Sequence, residues 1–368
     1  MEKTTKAFIP PAPFPKKVMV WEHTFKNGLE NKMILNRYPT RETYDDLCRT
    51  SNVIPLCAEL LAGYTAAKRT RGYADRELPK SYVSWLDRPR MRIGGAESAY
   101  LKIGEGCSNN CAYCSIPLIR GQRASRSMDS ILREARQLVD SGGKELNLIA
   151  QDTPAYGVDR DGRRQLAPLL QRLLEMPDNL WFRILYAHPR HLRSDILKVM
   201  VSDPRVCPYL DLPLQHVSDK MLKVMHRGYG AARVGQSLDL LNRYLPDAAL
   251  RTTFIVGHPG EGDKEFEELL AFVEAGHFDH MGVFVWSPEP GTASIGLKGR
   301  VEPAVAQERC ARLMKAQATV SAARLRNRKG ARTTMLLEEQ TDKGWLGRTV
   351  WQAPEVDGET LLEGGKAL

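Results

Sequence analysis

Between Tyr100 and Trp286, short apolar runs alternate with amphipathic stretches of helical period, and this alternation limits the fold more than any other feature. The runs are Tyr100–Ile103, Glu145–Ala150, Trp181–Tyr186, Tyr209–Leu212, Arg251–Val256 and Gly282–Trp286. Helical periods fall at Ser127–Ser141, Leu166–Glu175, Leu192–Val201, Ser218–Met225, Ala231–Leu245 and Asp263–Ala275. Strands separated by helices predict parallel βαβ units, because parallel neighbours need a long crossover and a helix supplies it. In such α/β folds, chemistry gathers where the chain leaves the C-terminal ends of the strands.

The loop after the first run carries Cys107, Cys111 and Cys114, spaced C-x3-C-x2-C. Iron–sulfur clusters are held by thiolates, and three close thiols on a four-iron cluster leave one iron open to an outside ligand. Zinc is the competing metal; it would need a fourth ligand, with His188, His191, His216, His226 and His258 as candidates, but none of these forms a second close pair. A disulfide framework fits poorly, since three is odd and no charged-then-apolar leader opens the sequence. Cys207 and Cys310 lie far from the triad in sequence and read as structural thiols.

Polar residues follow the other strands: Gln151 and Asp152 after the second, His188 after the third, Gln215 and His216 after the fourth. Gly257, His258 and Glu261 follow the fifth, and Ser287 and Glu289 the sixth. Their positions make them candidate site residues, although Asp152 in a turn and Glu261 at a helix start would also suit ordinary loop chemistry. The 368 residues suffice for two or three domains, and no run is apolar and long enough to cross a membrane as a helix. Free thiols predict a reducing, cytoplasmic setting with no membrane association. The net charge of +9 suits an acidic or ribonucleoprotein partner. The basic clusters Lys68–Arg71, Arg88–Arg92, Arg120–Arg126 and Arg324–Arg332 read for the most part as solvated faces.

The triad, with Tyr113 before its last cysteine, resembles the radical S-adenosylmethionine (AdoMet) enzymes. RIGGAESAYLKIGEGC from Arg92, IPLIRG from Ile116, AQDT at Ala150–Thr153 and YAHP at Tyr186–Pro189 narrow the resemblance to the methylthiotransferases. PLQHVSD at Pro213–Asp219, IVGHPGE at Ile255–Glu261 and QAPEVDG at Gln352–Gly358 extend it, in the same order, over about residues 80 to 358. Within that family the sequence is most similar to the RimO group, which modifies a ribosomal protein. The resemblance implies an open six-stranded (β/α)6 partial TIM barrel, whose lateral gap admits a macromolecular substrate. It implies a 4Fe–4S cluster on Cys107, Cys111 and Cys114, with AdoMet on the open iron. It places Tyr113 beside the adenine and the Gly142–Glu145 stretch, ending at Glu145, near the methionine amino group. Gln151, Gln215 and Ser218 then serve as cofactor contacts, the last two at the ribose or carboxylate. Arg227 supplies charge to that carboxylate, and Gly257 lets the adenine approach the backbone.

The resemblance divides the chain into an N-terminal region (1–80), the barrel (81–328) and a TRAM-like β domain (329–368). The first is Pro-rich from Ile9, with helical potential at Tyr44–Lys68. RimO-like proteins bind a second cluster there through three cysteines, whereas this stretch offers Cys48 and Cys57, read as ordinary buried thiols. One cluster is therefore expected, and with it AdoMet cleavage but weak sulfur insertion. After a helix at Pro303–Arg328, strands at Arg332–Leu337 and Gly347–Gln352 predict an incomplete TRAM-like barrel. The implied activity adds a methylthio group to the β-carbon of an aspartate in small-subunit ribosomal protein twelve, with an electron donor such as flavodoxin. The alternatives are methylthiolation of a tRNA adenosine and a barrel that has lost sulfur insertion.

Overall fold

In the computed structural model, residues 97–176 and 179–363 are described; Cys48, Cys57, the start of the RIGGAES motif and the expectations for residues 1–80 lie outside them. The barrel strands are β1 (Ser98–Lys102), β4 (Glu145–Ile149), β5 (Trp181–Ile184), β6 (Val206–Asp211), β7 (Ala249–Val256) and β8 (His280–Val285). They form one sheet in the order β1-β4-β5-β6-β7-β8, and every neighbouring pair is parallel. These are the parallel βαβ units that the alternation predicts, arranged in the open six-stranded barrel that the resemblance implies. Two short strands, β2 (Gly104–Glu105) and β3 (Ala124–Ser125), pair antiparallel across the cysteine loop.

Helices fill the crossovers: α1 (Ile116–Arg120), α2 (Met128–Asp140), α3 (Val158–Asp161), α4 (Leu166–Leu173), α5 (Ser194–Ser202), α6 (Asp219–Val224), α7 (Ala231–Tyr244) and α8 (Asp263–Glu274). Helix α9 (Pro303–Asn327) then leaves the barrel. Pattern decides which face each element buries. In α2, Ile131, Leu132, Ala135 and Leu138 recur at helical spacing and are buried, and the Ser127 hydroxyl caps its start by accepting from the Ser130 N–H. In β7, Leu250, Phe254 and Val256 join the apolar layer between sheet and helices, while alternate residues face the barrel interior. Ile255 packs inside with Met221, Met225, Tyr113, Phe284 and Trp286.

Three antiparallel strands, β9 (Met335–Thr341), β10 (Gly344–Thr349) and β11 (Thr360–Glu363), follow α9 in the order β11-β10-β9. The first two lie close to the sequence expectation; the third was not anticipated. β10 and the segment after it bond to side chains of barrel strands β4, β5, β6 and β7. Arg348 is buried there, donating to Glu145 Oε2 at 2.6 Å and to Glu338 Oε1 at 2.6 Å. Glu145 also accepts from Arg183 Nε at 2.8 Å and from the Ser98 hydroxyl at 2.8 Å. Asp357 accepts from Arg251 Nη1 and from the Tyr209 hydroxyl, both at 2.6 Å. Unpaired, these charges would be costly to bury; paired across the seam, they fix the β9–β11 sheet to the barrel floor. Among the described residues no helix is long and apolar enough to cross a membrane.

Candidate cluster and cofactor site

The cysteine loop leaves β1 at its C-terminal end and is pinned along its length. The Cys107 N–H donates to Gly121 O at 3.0 Å, and the Ala112 N–H to Met225 O at 3.0 Å, just past α6. Ala112 O in turn accepts from the Ser294 N–H at 2.8 Å, so three separated segments hold the loop. Cys107 and Cys111 are buried and Cys114 is half-buried. Burial pushes the Cys114 thiol up to about 12, with Cys111 adding to the rise. Burial also raises Cys107, to which Asp152 and Cys111 contribute. Cys107 and Cys114 therefore resist ionisation on their own, and a bound metal centre is what would hold them as thiolates.

A buried cation backs the loop. Arg227 donates from Nη1 to Cys111 Sγ at 3.2 Å and to the Tyr113 hydroxyl at 3.0 Å, and from Nη2 to Pro213 O at 2.6 Å. A guanidinium against a sulfur suits an anionic cluster of thiolates. Buried polar atoms without protein partners also gather at the C-terminal strand ends: Gln151 Oε1, His188 Nε2, Asp211 Oδ1 and Gln215 Oε1. Unsatisfied buried groups are rare in folded proteins, and a polar ligand above the strands would satisfy them. Among the described residues, no three Cys, His, Asp or Glu side chains converge as a single-ion site. Cluster thiolates bind separate irons and stand further apart. The donor set thus fits a cluster with a polar cofactor beside it.

The structure sorts the other sequence candidates. Gln215 sits at the mouth with φ 73°, its backbone docked between Thr253 O and the Ile255 N–H at 2.8 and 2.9 Å. That left-handed conformation is uncommon for a residue other than glycine, and the pairing to β7 imposes it. Ser218 is buried at the start of α6, its N–H donating to His216 Nδ1 at 3.1 Å. Burial depresses His216 to about 3 and His258 to about 4, so both are neutral at the mouth. Tyr113 lies edge-on to His258, with ring centroids 6.4 Å apart. Gln151 donates to Glu105 Oε1 at 3.2 Å.

Two expectations need correction. Glu145 does not reach the site: it is the first residue of β4, at the opposite mouth, and its carboxylate is consumed by Arg183, Arg348 and Ser98. At Gly257 packing by itself also requires glycine, because an added Cβ would lie 2.5 Å from Ala306 Cβ on α9, and φ is +73°. Arg120–Arg126 is not a solvated face. Arg120 pairs with Glu105, Arg123 with Asp152, and the buried Arg126 with Glu134 and Lys102 O.

Sequence reasoning also missed the groups around Asp152. Its Oδ2 accepts from Asn109 Nδ2 at 2.6 Å, Arg123 Nη2 at 2.9 Å and His191 Nδ1 at 2.6 Å. No periodicity links these four positions; the signal available was Asp152 at a strand end.

Comparison with known proteins follows the same lines. The Radical SAM superfamily model matches residues 101–273, and the TRAM domain model residues 330–368. The ribosomal protein uS12 methylthiotransferase RimO of Citrifermentans bemidjiense is 43% identical over 282 residues, covering 76% of this chain and 63% of that protein. RimO of Sorangium cellulosum is 40% identical over 307 residues, covering 80% of this chain and 63% of the relative. The chain thus spans 63% of the length of these two relatives. RimO of Syntrophotalea carbinolica is 42% identical over 325 residues, 88% of this chain and 71% of that protein. With a cysteine triad at the mouth of an open parallel barrel and this identity over most of its length, the chain belongs to the RimO family of methylthiotransferases.

Proposed function

We propose that this chain is a radical AdoMet methylthiotransferase whose substrate is an aspartate of ribosomal protein uS12, acting in the cytoplasm with a reduced flavodoxin-like electron donor. The observation that carries the reading is the placement of Cys107, Cys111 and Cys114 on one pinned loop at the C-terminal end of β1, backed by the buried Arg227. A 4Fe–4S cluster with AdoMet would supply the 5′-deoxyadenosyl radical, which removes a hydrogen from a carbon too weakly acidic for any side-chain base.

The protein's own residues prepare the site. The triad would hold three irons and leave one for AdoMet. Arg227 balances the charge of the thiolates and locks Tyr113. Neutral His216 and His258, with the wall of Met221, Met225 and Trp286, keep water from the mouth. Gln151 and Gln215 keep buried oxygens without protein partners, which a bound cofactor would satisfy.

Anaerobic reconstitution tests the reading. Wild type should take up about four irons per chain on the triad, a number that follows from the cluster type. Alanine at Cys107, Cys111 or Cys114 should abolish uptake, while alanine at Cys207 or Cys310 should leave it. Cys207 lies buried in β6 and Cys310 in α9, off the loop. With AdoMet and a reductant, 5′-deoxyadenosine should form, and mass spectrometry should find methylthiolated uS12 aspartate. Methylthioadenosine in tRNA instead would replace the substrate, and cleavage without any methylthiolated product would mark a chain that lacks sulfur insertion.

A further inference from the structure

Asp152 is the third residue after β4, and its side chain is fully shielded from solvent. One oxygen, Oδ2, gathers three donors: Asn109 Nδ2 at 2.6 Å, Arg123 Nη2 at 2.9 Å and His191 Nδ1 at 2.6 Å. Two of the three lead to the cysteine loop. Asn109 donates to Cys107 Sγ both from its backbone N–H, at 3.4 Å, and from Nδ2, at 3.5 Å. Its amide thus stands between carboxylate and sulfur, and a charged acceptor on one side polarises the group that faces the other. Arg123 grips the same loop through its backbone N–H, which donates to Ser108 Oγ at 3.1 Å. The carboxylate and guanidinium therefore form one nearly buried pair at the base of the Cys107 loop.

We propose that Asp152 is a positioning residue for Cys107, and that the Asp152–Arg123 pair sets the electrostatic potential felt by a cluster on that cysteine. The inference rests on the reading that the triad carries the cluster, and it assigns a role to a residue outside the donor set. Hydrogen bonds to ligating sulfurs, and charges buried beside them, tune reduction potential. The two members of the pair act with opposite sign. Removing the carboxylate leaves the Arg123 cation, which favours the more negative reduced cluster and raises the potential. Removing the guanidinium leaves the carboxylate, which lowers it.

The test uses reconstituted full-length protein, with redox titration followed by electron paramagnetic resonance. Asp152→Asn should move the midpoint to more positive potential, and Arg123→Gln should move it to more negative potential, each with iron content as in wild type. Asn109→Ala should shift it as well, and change the spectrum of the reduced cluster, because it removes the link between Asp152 and Cys107. A merely structural Asp152 would leave all three midpoints at the wild-type value, or move both charge variants the same way, and either result overturns the proposal. If Asp152→Asn fails to fold, Arg123→Gln and Asn109→Ala decide the question by the same criteria. Wild-type protein that takes up no iron would sink the underlying cluster assignment; a normal cluster with unmoved midpoints sinks this inference alone.

Discussion

Arg227 Nη1 lies 3.2 Å from Cys111 Sγ, although the two residues are 116 positions apart. The guanidinium is buried, and its other donors are taken by Tyr113, Tyr229 and Pro213 O. Arg227→Met should destabilise the apo-protein by about 2–4 kcal/mol, as for other buried charged groups that lose their hydrogen bonds. Arg227→Lys should recover only part of this, since an ammonium lacks the planar fork. Denaturant unfolding gives the stability, and iron retained after reconstitution shows whether the loop still closes. Full stability and full iron in Arg227→Met would refute this account of the loop.

Gly257 has two reasons to be glycine, and they can be separated. Its φ of +73° costs about 1–2 kcal/mol for a residue with a Cβ, and contact with Ala306 adds overpacking strain of about 1–3 kcal/mol. A double-mutant cycle of Gly257→Ala with Ala306→Gly should show favourable coupling of about 1–2 kcal/mol. Strict additivity would mean that α9 yields at this point.

The buried histidines give stability a pH dependence. His216 holds the free form of Nδ1 against the N–H groups of Val217 and Ser218, and burial lowers it to about 3. Unfolded, it would take a proton near its ordinary value of about 6.5, so its contribution is complete above that pH and is lost as pH falls toward 3. Between pH 6.5 and 5 the loss is about 2 kcal/mol for this one group. Asp211, raised to about 6 by burial, acts in the opposite direction: its contribution is present below the ordinary carboxylate range and is lost as pH climbs from about 4 to 6. His216→Asn should flatten the acid limb of a stability–pH curve measured by urea unfolding, and Asp211→Asn should steepen it. An unchanged limb in His216→Asn would show that other groups control acid unfolding.

At the barrel floor, Asp357 accepts from Arg251, Tyr209 and the Ala353 N–H. Asp357→Asn leaves the Arg251 cation poorly matched, and should cost about 3 kcal/mol. The loss should fall on the seam first. Hydrogen exchange should rise in β9, β10 and β11 while β4 to β7 stay protected. Uniform loosening of the whole barrel would contradict a localised seam.

The barrel was legible because its pattern is dense: six parallel strands fall close to the six apolar runs, and the thiol triad sits on the loop where strand polarity puts it. Glu145 was misplaced by the resemblance although, as the first residue of a parallel strand, it belongs at the N-terminal mouth, away from the thiol loop; its partner Arg348, 203 residues on, could not be read from the sequence. Arg123 and Arg126 resembled solvated charge because their acceptors, Asp152 and Glu134, come together only once the chain folds. The third C-terminal strand escaped notice since Thr360–Glu363 is short and largely exposed, with no alternation to mark it.

The seam at the barrel floor also orders events during synthesis. Glu145 leaves the ribosome 203 residues before Arg348. At translation rates of ~5–20 residues per second, that interval is roughly 10–40 s. For most of that interval the barrel itself is still being made, since β8 ends at Val285. Strands and helices form within microseconds to milliseconds of becoming available. The assembled barrel then waits, with the Glu145–Arg183 pair still wetted, only while the chain runs on to Arg348, roughly 3–13 s at ~5–20 residues per second. Pairing of the buried Glu145, and of Arg251, is then timed by elongation through the segment that carries Arg348 and Asp357, and a pause there would lengthen the life of an open, sticky intermediate without altering the finished protein.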